Sequence, residues 1–142
     1  MHKQKTIKSI SKILSSNDIG LTGAHQAGMH IPKQAEILSF FPTLNLKQKN
    51  PRFMLVFTDD SNVRWEFSFI YYNNKFFGGT RNEYRLTRMT KYLKNNNLKV
   101  GDELILKQLE NGEYLVCSNK NQLQNEGKLK LSTEWKIINI KK

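Results

Sequence analysis

Two stretches of this chain hold side chains whose types and spacing could do chemistry. In the first, Arg81, Glu83 and Arg85 stand at every second position, with Asn82 and Tyr84 between them and Thr80 just before. In an extended backbone alternate side chains leave on the same side, so the three charged groups would share one face and Asn82 and Tyr84 the other. An arginine offers two parallel N–H donors that match O6 and N7 of guanine in the major groove. A glutamate accepts from the N4 amino group of cytosine. Phosphates repel a carboxylate, so a glutamate among arginines indicates either reading of base edges or orientation of the arginines. A surface network of ion pairs has the same composition, and residue types alone leave both readings open.

The second stretch is SSNDIGLTGAHQAGMHIP, residues 15–32. Its glycines, Asn17-Asp18 and closing Pro32 predict a loop of special backbone geometry. An aperiodic loop of this length inside a small domain is usually functional or disordered. Gly20, Gly23 and Gly28 would let the backbone approach a phosphate, while His25 and Gln26 can reach base edges or phosphates. The plainer reading is a structured loop in which His25 caps a turn. A metal held by His25 and His30 is disfavoured: the sole cysteine, Cys117, is far along the chain, no carboxylate pair converges, and the spacing fits no ligand pattern.

Catalysis finds little support. A nuclease needs clustered carboxylates to hold a metal. Two Glu-x-Lys triplets exist, Glu126-Gly127-Lys128 and Glu134-Trp135-Lys136, with Asp102 upstream, but a lysine-rich chain produces such triplets by chance. No Ser/His/Asp or Cys/His arrangement and no nucleotide-phosphate fingerprint is present. The expectation is no catalytic residue, no metal and no cofactor. A compact Glu-x-Lys nuclease and a single-strand or RNA-binding module, which aromatics and lysines would also suit, stand as rivals.

The charge balance agrees with an anionic partner. Lysine and arginine number 23 against 12 acidic residues, a net charge of +11. That favours nucleic acid, an anionic membrane surface or an acidic protein, although the products of AT-rich genomes also accumulate lysine and asparagine. A single cysteine indicates a reducing, intracellular setting. No secretory pattern opens the chain and no segment reaches the length of a transmembrane helix.

The elements that must position these residues read as mainly β with two short helices. The 142 residues predict one domain, with residues 1–8 expected as a frayed arm. Residues 9–14 suit a short strand and 33–41 a helix between Pro32 and Pro42. RFMLVFT (residues 52–58) is a dense apolar run, expected to be a strand buried on both faces. After the turn Asp59-Asp60-Ser61-Asn62, the residues Val63, Trp65, Phe67, Phe69 and Tyr71 alternate with a second set, the pattern of a strand with one face in a core. Leu86, Met89, Thr90 and Leu93 recur at helical spacing, predicting a helix over residues 86–94. Residues 103–109 and 113–118 form a hairpin across Asn111-Gly112, and residues 135–140 a last strand. Short strands with glycine turns suggest a barrel or pseudobarrel.

At the two chemical stretches the sequence is recognisable. LSSNDIGLTGAHQAGMHIPK (residues 14–33) and YYNNKFFGGTRNEYRLTR (residues 71–88) resemble, in order and separation, two signatures of the N-terminal effector domain of EcoRII-type restriction endonucleases. VGDELILKQLENGEYLV resembles the Gly-Asp hairpin of the wider fold, so the likeness runs over nearly the whole chain. The resemblance implies the DNA-binding pseudobarrel shared with plant B-three transcription factors, an open barrel of about seven strands with two helices. It also implies two arms entering the major groove: an N-arm, residues 15–33, and a C-arm, about residues 75–88. The site residues so implied are Asn17, Thr22, His25, Gln26, His30 and Lys33 on the first, and Lys75, Thr80, Arg81, Asn82, Glu83, Tyr84 and Arg85 on the second. His30 stands where the family leans to an aromatic, and Tyr84 where a basic residue can occur in it. The implied partner is double-stranded DNA with a short G·C-rich site of the CCWGG type. The implied setting is the bacterial cytoplasm, with a linked or separate nuclease domain and no membrane partner.

Overall fold

The computed structural model of the chain describes residues 5–20, 28–120 and 134–140. Among them the order is β1 (Thr6–Ile13), β2 (Met29–Ile31), α1 (Ala35–Leu38), β3 (Arg52–Thr58), β4 (Arg64–Tyr72), a 3-10 turn (Asn74–Phe77), β5 (Glu83–Thr87), α2 (Thr90–Asn95), β6 (Glu103–Leu109), β7 (Tyr114–Asn119) and β8 (Lys136–Ile140). Eight strands thus replace the expected seven. The three-residue β2 lies within a stretch read as loop, because Met29, His30 and Ile31 find partners on β5 that no local pattern announces. β1 begins at Thr6, inside the segment expected to fray, because Thr6 and Lys8 pair with β6.

All strands join one sheet in the order β2-β5-β4-β3-β7-β6-β1-β8. Every pairing is antiparallel except β3 with β7, which touch in parallel at Phe57–Tyr114 and Thr58–Leu115. The sheet curls until its two edge strands approach: the indole Nε1 of Trp135, just before β8, donates to the His30 carbonyl in β2 at 2.9 Å. Among the described residues no strand ladder joins β2 to β8, so the barrel stays open along this seam.

The turn between β3 and β4 shows local sequence at work. Asp59 Oδ1 accepts from the amides of Ser61 and Val63, each at 2.9 Å, and Asp59 Oδ2 accepts from Trp65 Nε1 at 2.9 Å. Asn62 takes a positive φ of 66°, which asparagine tolerates. Burial pushes the Asp59 carboxyl up, but the Trp65, Val63 and Ser61 donors outweigh it and hold the group below its ordinary value.

The core is aromatic. Phe41 stacks on Phe69 with centroids 4.4 Å apart, Phe57 meets Phe67 at 5.1 Å, and Tyr92 of α2 stands edge-on to Trp65 at 5.4 Å. The Tyr92 hydroxyl is pushed up to about 12, first by burial.

Two strand expectations exchange character. β3 is not buried on both faces: Phe53, Met54 and Val56 are exposed. Its parallel partner covers only its last two residues, which leaves the start of β3 at the rim. β4, expected to hide one face, is buried at every residue from Phe67 to Tyr71, between β3 and β5. The helix expected over residues 86–94 begins at Thr90, and Leu86 is the core residue of β5, paired with Phe69 and Met29. Leu86, Met89 and Leu93 are all buried, so a strand end and a helix start facing one core mimic helical periodicity. The helix expected over residues 33–41 shrinks to Ala35–Leu38.

Candidate nucleic-acid interface

The C-arm is the connection between β4 and β5. Gly78 takes φ 89°, the left-handed region that glycine tolerates, and ends the 3-10 turn. The Lys75 amide donates to the Arg81 carbonyl at 2.9 Å and the Gly79 amide to the Asn74 carbonyl at 2.7 Å, closing residues 75–81 into a ring. Buried Asn73 roots this ring in the preceding loop: its Oδ1 accepts from the Asn50 amide at 2.6 Å and its Nδ2 donates to the Gln48 carbonyl at 2.8 Å.

Arg81, Glu83 and Arg85 lie together. Arg81 donates to Glu83 Oε2 through Nη2 at 2.8 Å and Nε at 3.2 Å, while Arg85 Nη1 donates to Oε1 at 3.2 Å. Their environments differ. Arg81 is exposed, and its guanidinium lies 3.8 Å from the centroid of the Tyr72 ring. Arg85 is 6% exposed and its Nη2 donates to the Gly28 carbonyl at 3.0 Å. One arginine therefore offers its face outward, and the other clamps the carboxylate to the root of the N-arm. Burial raises the Glu83 carboxyl, but the Arg81 bond and the charges of Arg85 and Arg81 prevail and hold it below the usual glutamate value.

Asn82, just before β5, and Tyr84 within it take the opposite face, as alternation requires. Tyr84 stacks on Tyr71 at 4.2 Å and on Phe69 at 5.5 Å. Asn82 Oδ1 accepts from the Tyr71 hydroxyl and from Lys33 Nζ, the latter at 2.7 Å. Lys33 thus reaches from the N-arm across to the C-arm, with its ammonium 5.7 Å from the Tyr71 ring centroid. Lys75, Thr80 and His30 are exposed, as is Asn17.

The root of the N-arm is a buried ion pair. Lys12 Nζ meets Asp18 Oδ2 at 2.5 Å, with both side chains under a tenth exposed, and the Ser15 amide donates to the same oxygen at 2.9 Å. The conformation of Gly28 has a cause within the fold. It has φ +72°, and a Cβ there would lie 2.0 Å from the Leu86 carbonyl oxygen, so its close approach is to β5. Lys12, Asp18, Gly28, His30 and Arg85 line a cleft of about 370 Å³ together with Trp135. Thr22, His25, Gln26 and Gly23 lie outside the described residues, as does the Glu126 triplet. Asp102 is buried and accepts from the Lys99 amide at 2.8 Å. No group of three His, Cys, Asp or Glu that could hold a metal occurs among the described residues.

Sequence reasoning passed over Tyr72, whose ring carries Arg81, and the Lys12–Asp18 pair. Tyr72 stands one position beyond the alternating set that ends at Tyr71, and that position faces Arg81, Glu83 and Arg85, which together form a charged comb. Asp18 gave no signal, because its cation is six residues away on a strand.

Comparison with known proteins decides the family. The model for "Restriction endonuclease EcoRII, N-terminal" matches residues 3–104. The chain belongs to the EcoRII N-terminal domain family. The type II restriction enzyme EcoRII of Escherichia coli is 39% identical over 102 residues, 67% of this chain and 24% of that enzyme. The chain thus matches about a quarter of that relative's length. Among solved structures, the Arabidopsis FUS3–DNA complex superposes with a TM-score of 0.60 at 20% identity, covering 82% of this chain and 98% of that one. That likeness concerns the fold, and it agrees with an EcoRII-type pseudobarrel.

Proposed function

We propose that this EcoRII-type domain binds double-stranded DNA at a short G·C-rich site, of the CCWGG type, through two arms entering the major groove. It acts as the non-catalytic recognition domain of a restriction system whose nuclease lies in another part of the same protein or in a separate one. The observation that carries the reading is the Arg81–Glu83 pair, held outward on the C-arm while buried Arg85 fixes the carboxylate from behind. An ion-pair network that served only the fold would not need Arg81 exposed on a Tyr72 platform. Arg81 would donate two bonds to a guanine and Glu83 would accept from a neighbouring cytosine. Arg85 positions Glu83 from behind, Asn82 and Tyr84 pack on the face away from it, and His30 lies exposed on the neighbouring strand where it would reach the DNA. Lys33, Lys75 and Thr80 would grip phosphates, with Asn17, Thr22, His25 and Gln26 serving the N-arm.

A relative that is a type II restriction enzyme and a fold neighbour solved with DNA support a duplex partner, and a net charge of +11 supports a polyanion. The test is selection of bound duplexes from a random library, followed by competition with single strands of the selected sequence. A short G·C-rich consensus that single strands cannot displace is expected. Equal competition by single strands would end the duplex reading. With magnesium the selected duplex should stay uncut.

A further inference from the structure

The tip of the C-arm carries two large apolar side chains that no core requires. Phe76 is 65% exposed and Phe77 43%, and neither ring has an aromatic partner among the described residues. Other apolar side chains of the chain are exposed, Phe53 at 52% among them, but Phe76 and Phe77 are adjacent on one loop tip, and a contiguous exposed apolar patch is the kind of surface that marks an interaction site. Both sit in the ring closed by the Lys75 amide and the Arg81 carbonyl, so the aromatic pair and the first arginine of the comb share one rigid tip. Asn74 stiffens that tip: it accepts from the Gly79 amide, and a Cβ on Gly79 would lie 2.8 Å from the Asn74 Cβ. From Asn73 to Arg81 the chain holds Lys75 and Arg81 and no carboxylate. An apolar surface with Lys75 beside it and the Arg81–Glu83 pair at its base, on a chain of net charge +11, fits an apolar feature on a polyanion better than it fits an ordinary protein face.

In the major groove that feature is the C5 methyl group of thymine, the one hydrocarbon the groove floor presents. We infer that Phe76, with Phe77 beside it, packs against a thymine methyl next to the G·C pairs that Arg81 and Glu83 address, and so sets a preference at a base pair the charged comb does not read. The inference rests on the proposed duplex-binding function. Electrostatics makes the tip approach any duplex, hydrogen bonds select the G·C pairs, and the phenylalanines select the methyl group.

The experiment is equilibrium binding to the selected duplex with each thymine in turn replaced by deoxyuridine, which removes only the methyl group. The wild-type chain should lose about fourfold in affinity at one thymine, the worth of one buried methyl group. Phe76→Ala should weaken binding to the thymine duplex by a similar factor and bind the deoxyuridine duplex no worse. Phe76→Leu should retain the discrimination. Melting temperature should not change, because the ring is exposed. Wild-type indifference at every thymine overturns the inference without any variant. It is overturned equally if Phe76→Ala still discriminates, or if Phe76→Ala loses the same factor on both duplexes, the signature of a wedge between base steps. A wild-type chain that binds no duplex specifically would sink the proposed function itself. Specific binding with no methyl effect sinks this inference alone.

Discussion

Asp18 and Glu83 are both carboxylates held by cations at the roots of the two arms, yet they are held in opposite ways. Asp18 is sealed: it and Lys12 are both nearly out of water, and a backbone amide adds a further bond. Glu83 is half open, gripped by a buried arginine on one side and an exposed one on the other. A sealed pair belongs to the fold, since its charges have no other partner to meet. A half-open pair can exchange its outer partner for a ligand while the inner one keeps it aimed. The same chemistry thus makes a latch at Asp18 and, under the proposed function, a reading head at Glu83, and burial distinguishes the two.

The largest effect should come from breaking the latch. Asp18→Ala leaves the Lys12 ammonium buried without its partner, at a cost of about 3–5 kcal/mol of stability. Chemical denaturation measures this, and the double variant Lys12→Met/Asp18→Leu should recover most of it. Glu83→Gln, by contrast, should leave the denaturation midpoint nearly in place. Equal losses for Asp18→Ala and Glu83→Gln would abolish the distinction between latch and reading head.

Next is the seam between the arms. Gly28→Ala forces a Cβ into the Leu86 carbonyl at a positive φ, so about 3 kcal/mol of stability should go, with the Arg85 anchor on the Gly28 carbonyl. Proteolysis should then cut the N-arm faster. A stable Gly28→Ala variant that is no easier to cut would show that the two arms are not locked together.

A smaller effect, on binding alone, separates reading from gripping. Arg81→Ala should cost about 1–3 kcal/mol against the selected duplex and relax preference at one base pair. Lys33→Ala should weaken all duplexes alike and flatten the dependence of affinity on salt. If Arg81→Ala weakens every single-base variant equally, Arg81 grips the backbone and the comb is an ion-pair network.

The smallest effect is in pH. Glu83 is held below its ordinary value, so it stays ionised as pH falls to the usual carboxylate range and is lost as an acceptor only below it. Site-specific binding should therefore persist from neutral pH to about pH 5, taking the usual glutamate value as about 4.3. The stability tied to the lowered Asp59 carboxyl follows the same sign: full above the unfolded value, lost as pH falls through the folded one. In Glu83→Gln the acid limb of specific binding should vanish, since that side chain does not titrate. A glutamate-dependent loss already at pH 6 would contradict the grip of the two arginines.

The legible parts of this molecule are those whose cause is local. The β3–β4 and β6–β7 hairpins follow from apolar runs bounded by Asp59-Asp60-Ser61-Asn62 and Asn111-Gly112, and the structure pairs them so. The one-sidedness of Arg81, Glu83 and Arg85 follows from a period of two, and two long motifs identified the family. Alternation could not separate Arg81 from Arg85, because equal spacing places both on one face. Gly28 and β2, arriving from more than fifty residues upstream, pack on Arg85, while Arg81 stays exposed. The same distance hid β2 itself, the role of Gly28 and the partner of Asp18. It also made Leu86 look helical, since burial by a neighbouring strand and burial by a helix's own core leave the same apolar residue behind. Sequence by itself determined which groups could read a duplex and on which face they lie. The tertiary structure decided which of them faces outward, because exposure is set by what packs alongside, and that is a contact between residues far apart in the chain.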